Sequence, residues 1–364
     1  MNGDHLLAHR HGGYAALPDA ARIIDFSVNL SPIAPPIDGL SLDAAALGPY
    51  PSIDGAPLRD FYVSRFGLDR SCVVALNGAI EGIYLLPRAL SCRRVLIPQP
   101  AFFDYSRACR LAGARTIPLP LKASEGFRYP DIDAIARALE GCDTLLTGRP
   151  NNPTGTLLPK EHILELADRF PDKMFIVDEA FIQYTEGFPG SSLMQEAQVY
   201  RNIAVIHSLT KFYALAGLRL GAAVAHPETI RKLYEVKEPW TVNAVAESVA
   251  GMLLQCGAWE ESVRSVVGQG RHHFRTALSG HPLIDLSGGE ANFFLATLKD
   301  GCMPDDLLGF LETRGIAVRD CRNFEGIGRD AFRFAIRSPE ENLQLVQALD
   351  DFAGRASTVG EVAS

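Results

Sequence analysis

Ser208-Leu209-Thr210-Lys211-Phe212-Tyr213, continued by Ala216-Gly217-Leu218-Arg219-Leu220-Gly221, is the densest signal in the chain. It follows an apolar run at 203–207 that reads as a buried strand. Lys211 therefore stands at the carboxyl end of a strand, where open α/β sheets bind ligands. Forming a Schiff base needs a lysine whose amine can be neutral, and desolvation or nearby positive charge depresses its pKa. Ser208 and Arg219 flank the lysine at a spacing suited to one phosphate. For this segment alone, a surface lysine after a strand is the plain alternative.

Three more strand ends carry polar residues. Asp178-Glu179-Ala180-Phe181 follows the apolar run Met174-Phe175-Ile176-Val177. A buried carboxylate there needs a cationic partner, and a protonated pyridine nitrogen would be one. An Asp capping the next helix is the alternative. Pro150-Asn151-Asn152-Pro153-Thr154-Gly155 reads as a rigid turn that could mount an amide, or as an ordinary strand-to-helix loop. Asn77-Gly78-Ala79-Ile80-Glu81 joins a strand to a helix, and a helix N-terminus offers N–H groups to an anion.

The wider pattern is one of short apolar runs alternating with amphipathic stretches. Strands are expected at 73–76, 94–97, 143–147, 174–177, 203–207 and 220–224. Helices are expected near 80–90, 102–112, 131–139 and 159–170. That alternation predicts an α/β fold with a mainly parallel sheet covered by helices on both faces. Long helical stretches follow at about 242–255 and 259–278. A second αβ unit then has strands near 293–297, 316–319 and 332–336, and helices near 304–313 and 339–352. The division expected is an N-terminal arm at 1–44 joining the small domain, a large domain at 45–270 and a smaller α+β domain at 271–364.

Composition excludes several classes. The 364 residues are 47% hydrophobic and 21% charged, with net charge -8, as in ordinary soluble domains. No basic stripe points to nucleic acid, and no run of about 18 apolar residues points to a membrane span. The seven cysteines are odd in number and form no C-x-x-C pair, which argues against a disulfide framework or a zinc site. No signal peptide is read at the N-terminus, and a cytoplasmic enzyme with reduced thiols is expected.

Taken in order, these motifs resemble the fold-type I pyridoxal 5′-phosphate (PLP) enzymes, the aspartate aminotransferase superfamily. The resemblance runs from His11 to about Asn342. It implies a large domain with a mainly parallel seven-stranded sheet, PLP as cofactor and a homodimer with shared sites. By this resemblance Lys211 holds the cofactor, Asp178 pairs with its ring nitrogen and Asn152 meets its ring hydroxyl. Phe102 stacks on the ring beside Phe181. Gly78, Ala79, Ser208 and Arg219 hold the phosphate, and Tyr50 reaches the neighbouring subunit's cofactor. Two branches stand out, the threonine-phosphate decarboxylases and the histidinol-phosphate aminotransferases. His11-Gly12-Gly13, Asp25-Phe26-Ser27-Val28-Asn29-Leu30-Ser31-Pro32, Pro239-Trp240 and Ala335-Ile336-Arg337-Ser338 are closer to the decarboxylase wording. His11, Asn29 and Arg319 match its substrate-contacting positions, and Arg333 matches the superfamily's substrate-carboxylate arginine.

Arg319, Arg333 and Arg337 all fall on or beside strands of the second unit, and arginine forks suit a substrate with a carboxylate and a phosphate. The reaction this resemblance implies is decarboxylation of O-phospho-L-threonine to (R)-1-aminopropan-2-ol phosphate for cobalamin, or of a relative such as O-phospho-L-serine to the corresponding amine. Transamination of the histidinol-phosphate type is the alternative, and a catalytically silent binding protein a third reading. Three departures from the decarboxylase pattern, Tyr14, Ala79 and Arg149, stand near motif residues. Arg149 is expected to add a cation beside the site and alter the substrate preference.

Overall fold

The computed structural model describes residues 23–37, 47–299 and 303–362. His11 and Tyr14 lie outside them. A seven-stranded sheet contains β2 (Val73–Asn77), β3 (Arg94–Gln99), β4 (Arg115–Pro120), β5 (Thr144–Gly148), β6 (Met174–Asp178), β7 (Ile203–Ser208) and β8 (Leu220–Ala225). Its order is β2-β8-β7-β6-β5-β3-β4. Pairing is parallel from β7 through β4, and only β8 runs against its neighbours. The sheet is therefore mainly parallel, as the strand and helix alternation requires.

The period-two rule of a strand divides the core. Val73, Ala75, Phe175, Val177, Ile203, Val205, Ala222 and Val224 face one apolar cluster. Their alternates Val74, Leu76, Ile176, Ala204, Ile206 and Ala223 face another. Helices Ala56–Phe66, Ile132–Leu139, Lys160–Arg169 and Ala244–Met252 cover the first face. Helices Ala79–Ala89, Phe103–Leu111 and Pro227–Val236 cover the second. With both faces dry, the central strands read as unbroken apolar runs, and their polar residues appear only where they end.

Sequence reading passes over β4, which carries Pro118 and Pro120. A proline cannot donate to a ladder and is tolerated at an edge, and β4 is the edge strand. The smaller sheet has the order β12-β13-β10-β9, from β9 (Ile284–Gly288), β10 (Phe293–Leu298), β12 (Arg319–Asp320) and β13 (Ala331–Ala335). The single strand expected at 316–319 is two. Ile316–Ala317 (β11) pairs in parallel with Ile24–Asp25 (β1), whereas Arg319–Asp320 pairs with β13. Helix Gly257–Ala277 runs unbroken between the two sheets.

The segment after β1 crosses between the two units. Ala335 donates its N–H to the Phe26 carbonyl at 2.8 Å, and Ser31 N–H donates to the Lys211 carbonyl at 2.9 Å. Asn292 adds a bond from its amide to the Leu30 carbonyl at 2.9 Å. This segment brings Ser27 and Asn29 to the same cavity as Lys211.

Candidate active site

The ends of β2, β5, β6 and β7 open on a cavity of about 540 Å³. Lys211, Asp178, Asn152, Phe102, Phe181, Ser208, Ala79 and Arg219 line it, joined by Asn29, Arg319 and Arg333. The residues at the ends of β2, β5, β6 and β7 meet there because these strands point their carboxyl ends the same way, while Asn29 comes from the segment after β1 and Arg319 and Arg333 from the small sheet.

Lys211 is half-buried, and desolvation pushes its amine down to about 8. Burial is the main cause, and the charges of Arg333 and Arg219 add to it, while Asp178 opposes. A lysine so placed is partly neutral near pH 8, which is the state that attacks a carbonyl. Its backbone carbonyl is held by Ser31 N–H and by the Tyr184 hydroxyl at 2.8 Å.

Asp178 is pushed up to about 6, chiefly by burial. Hydrogen bonds from Tyr105 and the Ala180 N–H, and the Lys211 charge, work against that rise. The Tyr105 hydroxyl donates to Oδ2 at 2.8 Å and Ala180 N–H to Oδ1 at 3.0 Å. Asp178 does receive one N–H of the following turn, as a capping aspartate would, yet it also lines the cavity.

The phosphate end is a cradle kept open by glycines. A Cβ on Gly78 would stand 2.5 Å from an Arg219 guanidinium nitrogen, and one on Gly221 would stand 2.6 Å from Ala79 N. No side chain caps helix Ala79–Ala89, and only the Glu81 N–H turns back to the Gly78 carbonyl, so the N–H groups of Ala79 and Ile80 remain for an anion. Arg219 adopts φ 61°, and its guanidinium also donates to the Ala216 carbonyl at 2.9 Å. A lysine of lowered pKa, a carboxylate for a ring nitrogen and an uncapped helix start beside an arginine fit PLP.

Arg333 reaches the cavity from β13. It is 5% exposed and forms no ion pair among the described residues. One guanidinium nitrogen donates to Asn152 Oδ1, and the other to the Ser27 carbonyl at 3.0 Å. Nε has no partner among the described residues. Burial and the Arg319 charge push Arg333 down to about 10. Arg319 is its direct cross-strand neighbour and packs over the Phe324 ring at 5.3 Å.

Other expected residues lie elsewhere. Arg337 is not a lining residue, because Glu341 binds its Nε and a terminal nitrogen at 3.0 and 2.9 Å and the Asp25 carbonyl takes a third bond. Arg149 adds no cation to the cavity, contrary to expectation. It is buried against Glu179 at 3.0 Å and donates to the Leu158 and Ser191 carbonyls. Asp178 and Glu179 are consecutive, so their side chains leave the strand end on opposite sides, and Arg149 follows Glu179. Tyr50 stands away from this chain's own cavity, 84% exposed, with its ring 5.2 Å from Trp240. Tyr105 escapes sequence reading, although its place one helical turn after Phe102 is a signal for a shared face. Thr210 and Phe324 also line the cavity unannounced.

No helix among the described residues is long and apolar enough to cross a membrane, and none of the described side chains cluster as a metal site. The model of the family "Aminotransferase class I and II" matches residues 38–349. The chain is 32% identical to a threonine-phosphate decarboxylase of Salmonella typhimurium, over 90% of each chain. It is 30% identical to a histidinol-phosphate aminotransferase of Thermoanaerobacter pseudethanolicus, over 83% of this chain and 84% of that one. The solved histidinol-phosphate aminotransferase of Clostridium acetobutylicum superposes with a TM-score of 0.83 at 28% identity, covering 91% of this chain and 99% of that one. The chain belongs to the class I and II aminotransferase family of fold-type I, PLP-dependent enzymes.

Proposed function

We propose that the protein decarboxylates O-phospho-L-threonine to (R)-1-aminopropan-2-ol phosphate for cobalamin assembly, or a close phosphorylated amino acid such as O-phospho-L-serine to its own amine phosphate. The observation that carries a doubly anionic substrate is Arg333, a buried guanidinium without a carboxylate partner among the described residues. A buried cation of that kind costs several kcal/mol until an anion meets it. Arg319, its cross-strand neighbour, supplies a second fork on the same side of the cavity. The likeness to a threonine-phosphate decarboxylase over 90% of both chains favours that chemistry.

The residues divide the work as follows. PLP, when bound, supplies an electron sink for the pair left at the substrate α-carbon. Lys211 would hold the cofactor through Nζ, and Nζ would keep the proton delivered to the substrate α-carbon after CO2 leaves. Asp178 stays ionised against the ring nitrogen. Arg333 fixes the Asn152 amide with its oxygen inward, which leaves the NH2 to donate to the ring hydroxyl. Gly78, Ala79, Ser208 and Arg219 hold the cofactor phosphate. Arg319 and Arg333 share the substrate's carboxylate and phosphate, with Asn29 and His11 as further donors. A second copy of the chain would complete the site through its Tyr50.

Transamination of a histidinol-phosphate-like substrate is the second reading, favoured by the TM-score of 0.83 to an enzyme of that name. Steady CO2 release from O-phospho-L-threonine, and none from L-threonine, tests the proposal. Equal rates on the two amino acids would remove the argument from paired anions.

A further inference from the structure

Tyr105 is a buried phenol in helix Phe103–Leu111, with its hydroxyl on Asp178 Oδ2 at 2.8 Å. The slot that admits this hydroxyl exists because residue 148 is glycine. A Cβ there would lie 2.9 Å from the Tyr105 oxygen and 3.2 Å from the Asn151 Cα. Gly148 is the last residue of β5 and the cross-strand partner of Asp178. Three elements thus converge on one carboxylate: the strand that carries it, the neighbouring strand that leaves space, and a helix that inserts a donor.

We propose that Tyr105 is a positioning residue that holds Asp178 for the cofactor's ring nitrogen, and that Gly148 is the gap that lets it do so. The inference rests on the site's being a PLP site and holds equally for decarboxylation and transamination. A carboxylate has only acceptors, so the bond fixes the phenol as donor and turns Oδ2. The Ala180 N–H fixes Oδ1 in the same way. Burial and the Asp178 charge drive the phenol well above its ordinary range, so it stays a neutral donor throughout the working pH.

The groups facing Asp178 are few. Lys211 comes from the loop after β7, Tyr105 from its helix and the Ala180 N–H from the following turn. Behind Tyr105 stand Tyr129 and Asp104, and Arg333 and Arg219 act on Lys211. Tyr105 is the only one of these that presents an uncharged side-chain hydroxyl to Asp178. Without it, burial dominates and the carboxylate takes up a proton at higher pH. A protonated Asp178 no longer draws a protonated ring nitrogen.

The test is the dissociation constant of PLP measured against pH from 5 to 9, by titrating cofactor-free protein, with melting temperature followed in parallel. Tyr105→Phe is expected to weaken binding roughly tenfold near neutral pH and to move the acid limb of binding up by about one unit, as loss of a hydrogen bond to a charged group implies. Gly148→Ala keeps the phenol but crowds its oxygen, and is expected to move the limb the same way by less. An unchanged acid limb in a folded Tyr105→Phe protein overturns the proposal. If Tyr105→Phe does not fold, Gly148→Ala decides, and an unchanged limb there overturns it as well. Failure of the wild-type chain to bind PLP would instead refute the site itself.

Discussion

Arg333 and Asn152 are joined side chain to side chain, although 181 positions separate them. The bond ties the small sheet to the loop after β5. It also brings beside Lys211 a cation without a carboxylate partner among the described residues, and this charge helps to depress the Lys211 amine. In the proposed function, this one guanidinium links substrate charge, cofactor contact and the arrangement of the two sheets.

Replacing Arg333 by Lys keeps a charge but loses the fork. The expected result is a fall in kcat/KM of roughly 10- to 100-fold, in line with about 1.5–3 kcal/mol for a lost hydrogen bond to a charged group. PLP affinity should change far less. Steady-state kinetics beside a cofactor titration checks this, and an equal loss in both would assign Arg333 to cofactor binding alone.

Lys211 titrates near 8, so its neutral fraction rises as pH passes through that value. Covalent uptake of PLP by cofactor-free protein should accelerate from pH 6.5 to 8.5 and level off above it. Stopped-flow absorbance reads the rate. Lys211→Ala should bind PLP only reversibly, lose it on dialysis and show no turnover.

Asp178 has its folded-state pKa raised, from 3.8 to about 6. The sign follows directly. Such a carboxylate contributes stability that is present below its ordinary pKa and lost as pH rises through about 6. At pH 8 the ionised group is therefore a burden on the cofactor-free protein, on the order of 3 kcal/mol for two pH units. Asp178→Asn should melt higher than wild type at pH 8 without cofactor, with the difference shrinking toward pH 4, while PLP binding and activity fall. A lower melting point at pH 8 would contradict this.

The Arg149–Glu179 pair predicts a purely structural effect. Arg149→Met leaves Glu179 buried and unpaired and should cost about 3–5 kcal/mol. Replacing both, as Arg149→Met with Glu179→Gln, should recover most of that loss. Substrate selectivity, measured as the ratio of kcat/KM for O-phospho-L-threonine and O-phospho-L-serine, should stay constant in the double variant.

Strand ends were the legible part of this site. Lys211, Asp178, Asn152 and Gly78 each follow an apolar run, and a dry parallel sheet allows polar groups only at such ends. The place of Arg149 is not legible because one strand end has two sides, and nothing local says that Glu179 waits on the other. Tyr105 stayed hidden because its role depends on an absent side chain at Gly148, 43 positions later in the chain. The edge strand β4 was lost to its prolines. Strands β11 and β12 merged in the reading, since only their different partners separate them.

The central claim is decarboxylation, and the most direct measurement omits the second substrate of a transaminase. PLP-loaded enzyme is incubated with excess O-phospho-L-threonine and no keto acid, while CO2, the amine product and the cofactor spectrum are followed. The account predicts CO2 and 1-aminopropan-2-ol phosphate in equal amounts over many turnovers, with the cofactor remaining in its aldehyde form. A single turnover that leaves the cofactor as pyridoxamine phosphate, restored by 2-oxoglutarate and without CO2, would contradict it and assign the chain to transamination.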